Sequence, residues 1–231
     1  MKLNYYLSLA ALIPAAILFV RIYQLDHIEK EPRRLLGKLV LFGAPAVPAA
    51  LAQLLLTRAA GAALGRSTVW YLLLDNFVIV ACSEELAKLL PVRLAAWDHP
   101  AFDYRFDAIV YSVSSALGFA AVENILYVLQ SDLRTAVSRA ILSVPGHFFF
   151  AVSVGLLLSR AKQAECCGQL RRRRVLALLA LAVPTLLHGL WDFLLAAGSR
   201  WAVIAFYAFV AAFFITADVC LRRASRTDSR L

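Results

Sequence analysis

The feature that most constrains this chain is a series of long apolar stretches separated by short polar connections. A helix needs roughly 20 apolar residues to cross a bilayer, and about seven stretches approach or reach that length: 3–20, 36–57, 68–92, 106–130, 136–158, 175–197 and 201–221. Hydrophobic residues make up 61% of the 231 residues, whereas soluble domains are closer to half apolar. The sequence therefore predicts an all-α, polytopic transmembrane helix bundle of about seven spanning helices.

The whole chain, residues 1–231, is predicted to form one integral-membrane domain, because no flexible linker, low-complexity tract or internal repeat divides it. Its longest predicted connections are 21–35 and 159–174, and residues 58–67 are predicted to form an outer loop or a surface helix. The first apolar stretch is interpreted as a retained helix, because no clear small-x-small cleavage site follows it.

The distribution of positive charge predicts the orientation of the bundle. Short loops rich in Lys and Arg stay in the cytoplasm, and most of the 24 Lys and Arg residues share one side when the amino terminus lies outside. We therefore predict a multi-pass protein of the cell membrane with its carboxyl terminus in the cytoplasm. The net charge of +9 is explained by anchoring beside anionic lipid, so no nucleic-acid partner is predicted.

Several ionisable or polar side chains fall inside the predicted spans. A charged side chain at the bilayer centre costs roughly 2.5–3.5 kcal/mol on insertion scales, so these groups must be paired, neutralised or functional. Four consecutive predicted helices supply them: Glu84, Glu85 and Lys88; Glu123 and Asn124; His147; and His188 with Asp192.

Helical spacing sorts some of these groups into pairs. Glu84 and Lys88 are four residues apart with the acid first, which is the favourable order for an ion pair on one helix face. Glu85 lies about 100° around the helix from Glu84 and has no predicted partner in its own helix. Asp192 follows His188 by four residues and can orient its imidazole.

Structural roles stay open for each group: a buried ion pair for Glu84 with Lys88, an interhelical hydrogen bond for His147 and, favoured over catalysis, helix bridging by Asn124. Three glutamates and two histidines together indicate water activation, either by a carboxylate acting as general base or by a zinc ion with an open position. The alternative from another class is a proton- or ion-coupled transporter that uses a relay of Glu and His. A relay spreads its groups along a path across the bilayer, whereas a protease gathers them in one pocket.

Four short motifs resemble those of the PrsW family of intramembrane proteases. "EELAK" resembles the E-E-x-x-K motif, "FAAVEN" the F-x-x-x-E-N motif, "PGHFFFAVSVG" the histidine-containing third motif, and "HGLWDF" the fourth. The motifs follow the family's order, and they define a motif-bearing core of about 68–197. The family is distantly similar to the CAAX prenyl endopeptidase and bacteriocin-immunity membrane proteases, in which an arginine stands one residue beyond the position of Lys88.

The resemblance implies an endopeptidase that cuts membrane-anchored protein substrates, in some relatives an anti-sigma factor at the start of regulated proteolysis. It implies five catalytic residues: Glu84, Glu85, Glu123, His147 and His188. Lys88, Asn124 and Asp192 are expected to support them. Glu84 or Glu85 is expected to activate water, with Glu123, His147 and His188 holding a zinc ion or stabilising the oxyanion. Whether a metal or a glutamate alone activates the water stays open. The substrate, its cleavage site and the oligomeric state stay undetermined at this point.

Overall fold

The computed structural model describes the backbone of residues 2–43, 46–130 and 137–231, and the side chains of 12–43, 50–129 and 137–231. Within these ranges the chain forms eight helices: α1 (Lys2–Leu25), α2 (Arg33–Gly43), α3 (Ala46–Leu64), α4 (69–96), α5 (Asp107–Gln130), α6 (Arg139–Cys166), α7 (Leu170–Ala197) and α8 (Arg200–Arg226). Three segments within α4 and α6 are π-helical: Leu74–Cys82, Val92–Ala96 and Arg139–Ser143.

Four of these helices are long and apolar enough to cross a membrane: α5 over Asp107–Leu129, and α6, α7 and α8 over their full lengths. The prediction of an all-helical, membrane-type bundle is therefore confirmed, whereas the count of about seven spans stays a prediction. The other predicted spans fall on α1, on α4, and on α2 together with α3. Residues 44 and 45, between α2 and α3, lie outside the described residues.

The predicted connections 21–35 and 159–174 are wrong in extent, because the flanking helices run further than their apolar stretches. Helix α1 continues to Leu25, α6 continues to Cys166, and α7 begins at Leu170. Ion pairs hold some of these polar turns, as between Arg21 and Asp218 of α8. Residues 58–64, predicted as an outer loop or a surface helix, continue α3 as helix.

Helix α5 lies at the centre of the bundle and is buried from residue 106 to 120. Small side chains allow this close packing, as is common between membrane helices. A Cβ on Gly118 would collide with the Val40 carbonyl of α2, and one on Gly155 of α6 would collide with the backbone at Ile109. The central position of α5 brings its Glu123 between the polar residues of α4 and α6.

A polar cluster lies at the end of the bundle where α5 begins. The Tyr111 hydroxyl oxygen lies within hydrogen-bond distance of the Glu31 carboxylate and of the Ala101 carbonyl oxygen, the latter at 2.8 Å. Burial raises the pKa of Glu31 to about 7 and that of Asp26 to about 6. This cluster ties the α1–α2 connection to the start of α5, away from the groups described next.

Candidate active site

The Glu84, Glu85 and Lys88 side chains lie on one turn of α4, and all three are buried. Lys88 Nζ donates to Glu85 Oε1 at 2.7 Å and lies 3.6 Å from Glu84 Oε2. The expected ion pair of Glu84 with Lys88 is therefore present, whereas the expectation that Glu85 has no partner in its own helix is wrong. Three-residue spacing also places side chains together on a helix, and α7 supplies Glu85 with a second partner.

His147 of α6 connects the acidic turn of α4 to α5. Its Nδ1 lies 2.8 Å from Lys88 Nζ, and its Nε2 lies 2.9 Å from Glu123 Oε2. A lysine ammonium only donates, so Nδ1 of His147 accepts from Lys88, and Nε2 is the nitrogen that faces Glu123. The sequence shows no partner for His147 because both of its partners belong to other helices.

His188 of α7 lies beside the same turn of α4. Its Nδ1 contacts Glu85 Oε1 at 2.9 Å, and its Nε2 lies 3.3 Å from Asp192 Oδ2, the residue four positions later. The ring stacks on Phe150, with centroids 5.0 Å apart, and meets the His147 ring edge-on at 5.6 Å. The expected pairing of His188 with Asp192 is therefore present, and Glu85 occupies the other nitrogen.

Arg139 is a member of the site that the motifs do not indicate. It lies in the π-helical start of α6, and its Nη2 forms an ion pair with Glu123 Oε2 at 2.7 Å. Its Nε donates to Asn124 Oδ1 at 3.3 Å, and its guanidinium carbon lies 3.9 Å from the centroid of the Tyr127 ring. Asn124 thus bridges α5 and α6, in agreement with the role favoured for it from the sequence.

Among the described residues, Glu84, Glu123 and His147 form a group whose ligand atoms lie within 4.8 Å of one another. Glu84 Oε2 is buried and has no hydrogen-bond partner, since its nearest cations, Lys88 Nζ and His188 Nε2, lie 3.6 and 3.9 Å away. The metal set expected from the resemblance contained His188 in place of Glu84. His188 lies beside this group, with its Nε2 3.9 Å from Glu84 Oε2.

These side chains border one cavity of about 690 Å³ enclosed by α4, α5, α6, α7 and α8, which we call the main cavity. Its lining includes Glu84, Glu123, His147, His188 and Asp192, while Glu85 is buried behind them. The volume falls within the range of about 300–1,000 Å³ typical of ligand sites. One shared pocket is the arrangement expected of a protease, and a transporter relay is not favoured.

Comparison with known proteins points to one family. The family model described as "PrsW family intramembrane metalloprotease" matches residues 31–217. The protein named Protease PrsW from Geobacillus kaustophilus is 35% identical over 193 residues, which cover 83% of this chain and 80% of that protein. Protease PrsW from Clostridioides difficile is 34% identical over 215 residues, covering 91% and 87%.

A third similar protein, Protease PrsW from Bacillus subtilis, is 36% identical over 126 residues, which cover 54% of this chain and 56% of that protein. No solved structure matches the chain. The family match includes all four motif-bearing segments and every residue of the polar cluster. This chain belongs to the PrsW family of intramembrane proteases.

Proposed function

We propose that this protease is metal-dependent, with Glu84, Glu123 and His147 holding a divalent cation beside the substrate peptide bond. The observation that carries the proposal is the close group of ligand atoms, together with the buried Glu84 Oε2 that has no hydrogen-bond partner. A buried polar atom without a partner costs roughly 1–3 kcal/mol. Such an atom is expected where a bound ligand completes the site.

The donor types suit zinc. Zinc in proteins binds imidazole nitrogen and carboxylate oxygen, and catalytic sites use three protein ligands and keep a fourth position open. A zinc ion held in this way supplies Lewis acidity toward a carbonyl oxygen or a water molecule. Manganese and iron accept the same donors, so elemental analysis is needed to distinguish the three metals.

The charge of the cluster also supports a bound cation. The cluster contains four carboxylates, one lysine, one arginine and two histidines: Glu84, Glu85, Glu123, Asp192, Lys88, Arg139, His147 and His188. When all carboxylates are ionised, the lysine and the arginine leave two negative charges unbalanced. Uncompensated buried charge is strongly unfavourable, so protons or a cation must supply the balance.

The side chains of the cluster suggest a division of roles. Glu84 and Glu123 face the main cavity, and when one oxygen of Glu84 holds the cation, the other is proposed to accept a proton from the attacking water. His188 also faces the cavity and is proposed to donate a proton to the leaving amine. Glu85 and Lys88 are positioning residues, because they contact the two histidines rather than the cavity.

The substrate, domain and topology are proposed on the sequence arguments. We propose that the chain is one domain over residues 1–231, with the protease core at about 68–197, about seven spans, and the amino terminus outside the cell membrane. Its substrates are proposed to be membrane-anchored proteins, with a regulator of the anti-sigma class as the first candidate. Fusions of reporter proteins to both termini test the topology, and a cytoplasmic amino terminus would contradict it.

The metal proposal is tested by elemental analysis of the protein purified in detergent. We expect about one equivalent of zinc in the wild type, and a fall of at least tenfold in Glu84→Gln, Glu123→Gln and His147→Gln, since each removes a ligand. Asp218→Asn is the matched control, because Asp218 is a carboxylate on α8 that pairs with Arg21 far from the cluster in the sequence. Cleavage of a co-expressed membrane-anchored reporter is measured in parallel.

Two outcomes would change the proposal. Wild-type protein that cleaves the reporter without any bound metal would support water activation by glutamate alone. A Glu84→Gln variant that retains metal but loses at least about 100-fold in cleavage, the lower end of a general-base contribution, would restrict Glu84 to accepting the water proton. In either case the Asp218→Asn control should match the wild type.

A further inference from the structure

The two carboxylates of the proposed metal site can be reached from two sides. Besides the main cavity, a second cavity of about 560 Å³ lies between α3, α4 and α5 and also borders Glu84 and Glu123. We call it the α3 groove and define it by Ala50, Gln53, Leu54, Thr57, Asp75 and Leu126. Val80 and Tyr127 belong to the walls of both cavities. The catalytic carboxylates therefore separate two spaces of different chemistry.

The walls of the two spaces differ in charge. Around the catalytic groups the main cavity is lined by further ionised or polar side chains, among them Arg139, Asp192, Ser138 and Asn76. Helix α3 contributes apolar and neutral polar side chains to its groove, and the further carboxylate in the groove wall, Asp75 of α4, accepts a hydrogen bond from Thr57. Water is therefore expected to fill the main cavity, while the α3 groove suits an apolar chain segment.

The groove is continuous with the outer face of the bundle. Leu51 and Leu54 line it and are 60% and 45% exposed, and the neighbouring Leu55 is 67% exposed on the same helix. A row of exposed leucines on a membrane protein contacts lipid. A segment moving within the bilayer can therefore enter the groove beside α3 without passing through water.

Polar groups inside the groove indicate a peptide rather than a lipid tail as its occupant. Gln53 Nε2 donates to Ser83 Oγ at 2.8 Å, and Thr57 Oγ1 donates to Asp75 Oδ1 at 2.5 Å. A hydrocarbon tail gains nothing from such groups. A locally unwound membrane segment exposes backbone N–H and C=O groups that must find partners in the apolar phase, and these side chains can supply them.

We propose that the α3 groove receives the membrane segment of the substrate in a locally extended form and presents it to Glu84 and Glu123, while water reaches them from the main cavity. This inference rests on the proposed function, since it assigns the substrate's path to the same carboxylates. An extended occupant is required because a helix buries its backbone hydrogen bonds and leaves no peptide bond open to attack.

Photocrosslinking in proteoliposomes tests the proposal with a defined probe. The probe is a biotinylated single-span peptide of leucine and alanine with a central Gly-Pro pair flanked by diazirine-leucine. We expect its crosslinks, mapped by mass spectrometry, to fall on residues 50–57, on Asp75 and on Leu126. The same peptide without Gly-Pro should crosslink about tenfold less, which corresponds to 1.4 kcal/mol, because it stays helical.

Variants of α3 supply matched controls. Leu54→Trp fills the groove and should reduce the crosslink yield about tenfold, whereas Leu55→Trp, one position further on the lipid-facing side, should leave it unchanged. Ala50→Phe is a second groove-filling variant, in case Leu54→Trp does not fold. Crosslinks confined to α6 and α8, or equal yields from the Leu54 and Leu55 variants, would overturn the proposal.

The crosslink requires neither metal nor cleavage, so the two proposals can fail separately. Absence of bound metal together with crosslinks on the α3 groove would refute the metal-dependent mechanism and retain the substrate path. Bound metal with cleavage that is unaffected by both Leu54→Trp and Ala50→Phe would refute the path and retain the mechanism.

Discussion

Adjacent glutamates of α4 allow a test in which the stability and the activity of the protein respond differently. Glu85 Oε1 accepts hydrogen bonds from two cationic or polar partners, Lys88 at 2.7 Å and His188 at 2.9 Å, and the side chain is 1% exposed. Glu84 is also buried, and Oε2 of both glutamates lacks a hydrogen-bond partner, so the two residues differ in the bonds that Glu85 Oε1 accepts. Replacing each glutamate in turn by glutamine removes the charge and keeps the shape.

The expected cost at Glu85 follows from these two bonds. A hydrogen bond to a charged group contributes about 1.5–3 kcal/mol and a neutral one about 0.5–1.5 kcal/mol, so Glu85→Gln should lower the free energy of unfolding by about 2–3 kcal/mol. For a chain of this size, 1 kcal/mol shifts Tm by about 2–4 °C, which predicts a fall of about 4–12 °C. Glu84→Gln should lower stability by less than Glu85→Gln, because it loses only the longer contact with Lys88, at 3.6 Å.

The assay is thermal unfolding in detergent after removal of metal by a chelator, so that lost metal binding does not contribute to the difference. Both variants should lose cleavage of the membrane-anchored reporter by at least about 100-fold, although for different reasons. Glu84 is proposed to act on the cation and the water, whereas Glu85 orients Lys88 and His188. Equal losses of stability in the two variants would refute the assignment of Glu85 as the buried anchor of the cluster.

Three further predictions concern the packing, the polar end and the metal. Gly118→Val should destabilise the protein by more than about 1–3 kcal/mol, because its side chain meets backbone of α2, whereas Gly37→Ala, with open space around its Cβ, should be neutral or stabilising in the same melts. Burial raises the pKa of Glu31 to about 7, so between about pH 4.5 and 7 the folded state keeps a proton that the unfolded state loses. The free energy of unfolding should therefore fall as pH rises through this range. Glu31→Gln should flatten that dependence in melts recorded at several pH values. Adding zinc to metal-free protein at pH 7 should release protons, as measured with an indicator dye in weak buffer, and no release would contradict the proposal that protons balance the empty cluster.

Much of the fold could be predicted because apolar length is a strong signal. The predicted span 106–130 matches α5, Asp107–Gln130, and the predicted span 175–197 lies within α7, Leu170–Ala197. The extent of the connections was harder to predict, because a polar turn can continue a helix when an ion pair such as that of Arg21 with Asp218 holds it. Hydropathy indicates which residues can lie in lipid, but it does not show at which residue a helix ends.

The convergence of the site was also within reach of the sequence, as were the pairings within one helix, of Glu84 with Lys88 and of His188 with Asp192, whereas the pairings between helices were not. Four motif-bearing helices had to bring their polar groups together, because none of these groups is stable alone in a bilayer. Lys88 contacts both glutamates, Glu85 at 2.7 Å and Glu84 at 3.6 Å, and His188 of α7 also lies closer to Glu85 than to Glu84. The spacing within α4 does not show the contacts that another helix makes with these two residues.

Arg139 shows a further limit, which comes from the helix geometry itself. Eight residues separate Arg139 from His147, and at about 100° per residue the two side chains would point roughly 80° apart on a regular helix. The segment Arg139–Ser143 is π-helical, and its i→i+5 hydrogen bonds place more residues in each turn and reduce the rotation between them. Arg139 and His147 can then both reach Glu123 Oε2. Since π-helical turns are frequent at functional sites, the same argument applies to Leu74–Cys82, which ends one residue before the turn that carries Glu84. Spacing rules that assume 3.6 residues per turn therefore fail in π-helical segments. Arg139 could be assigned to the site only from the structure.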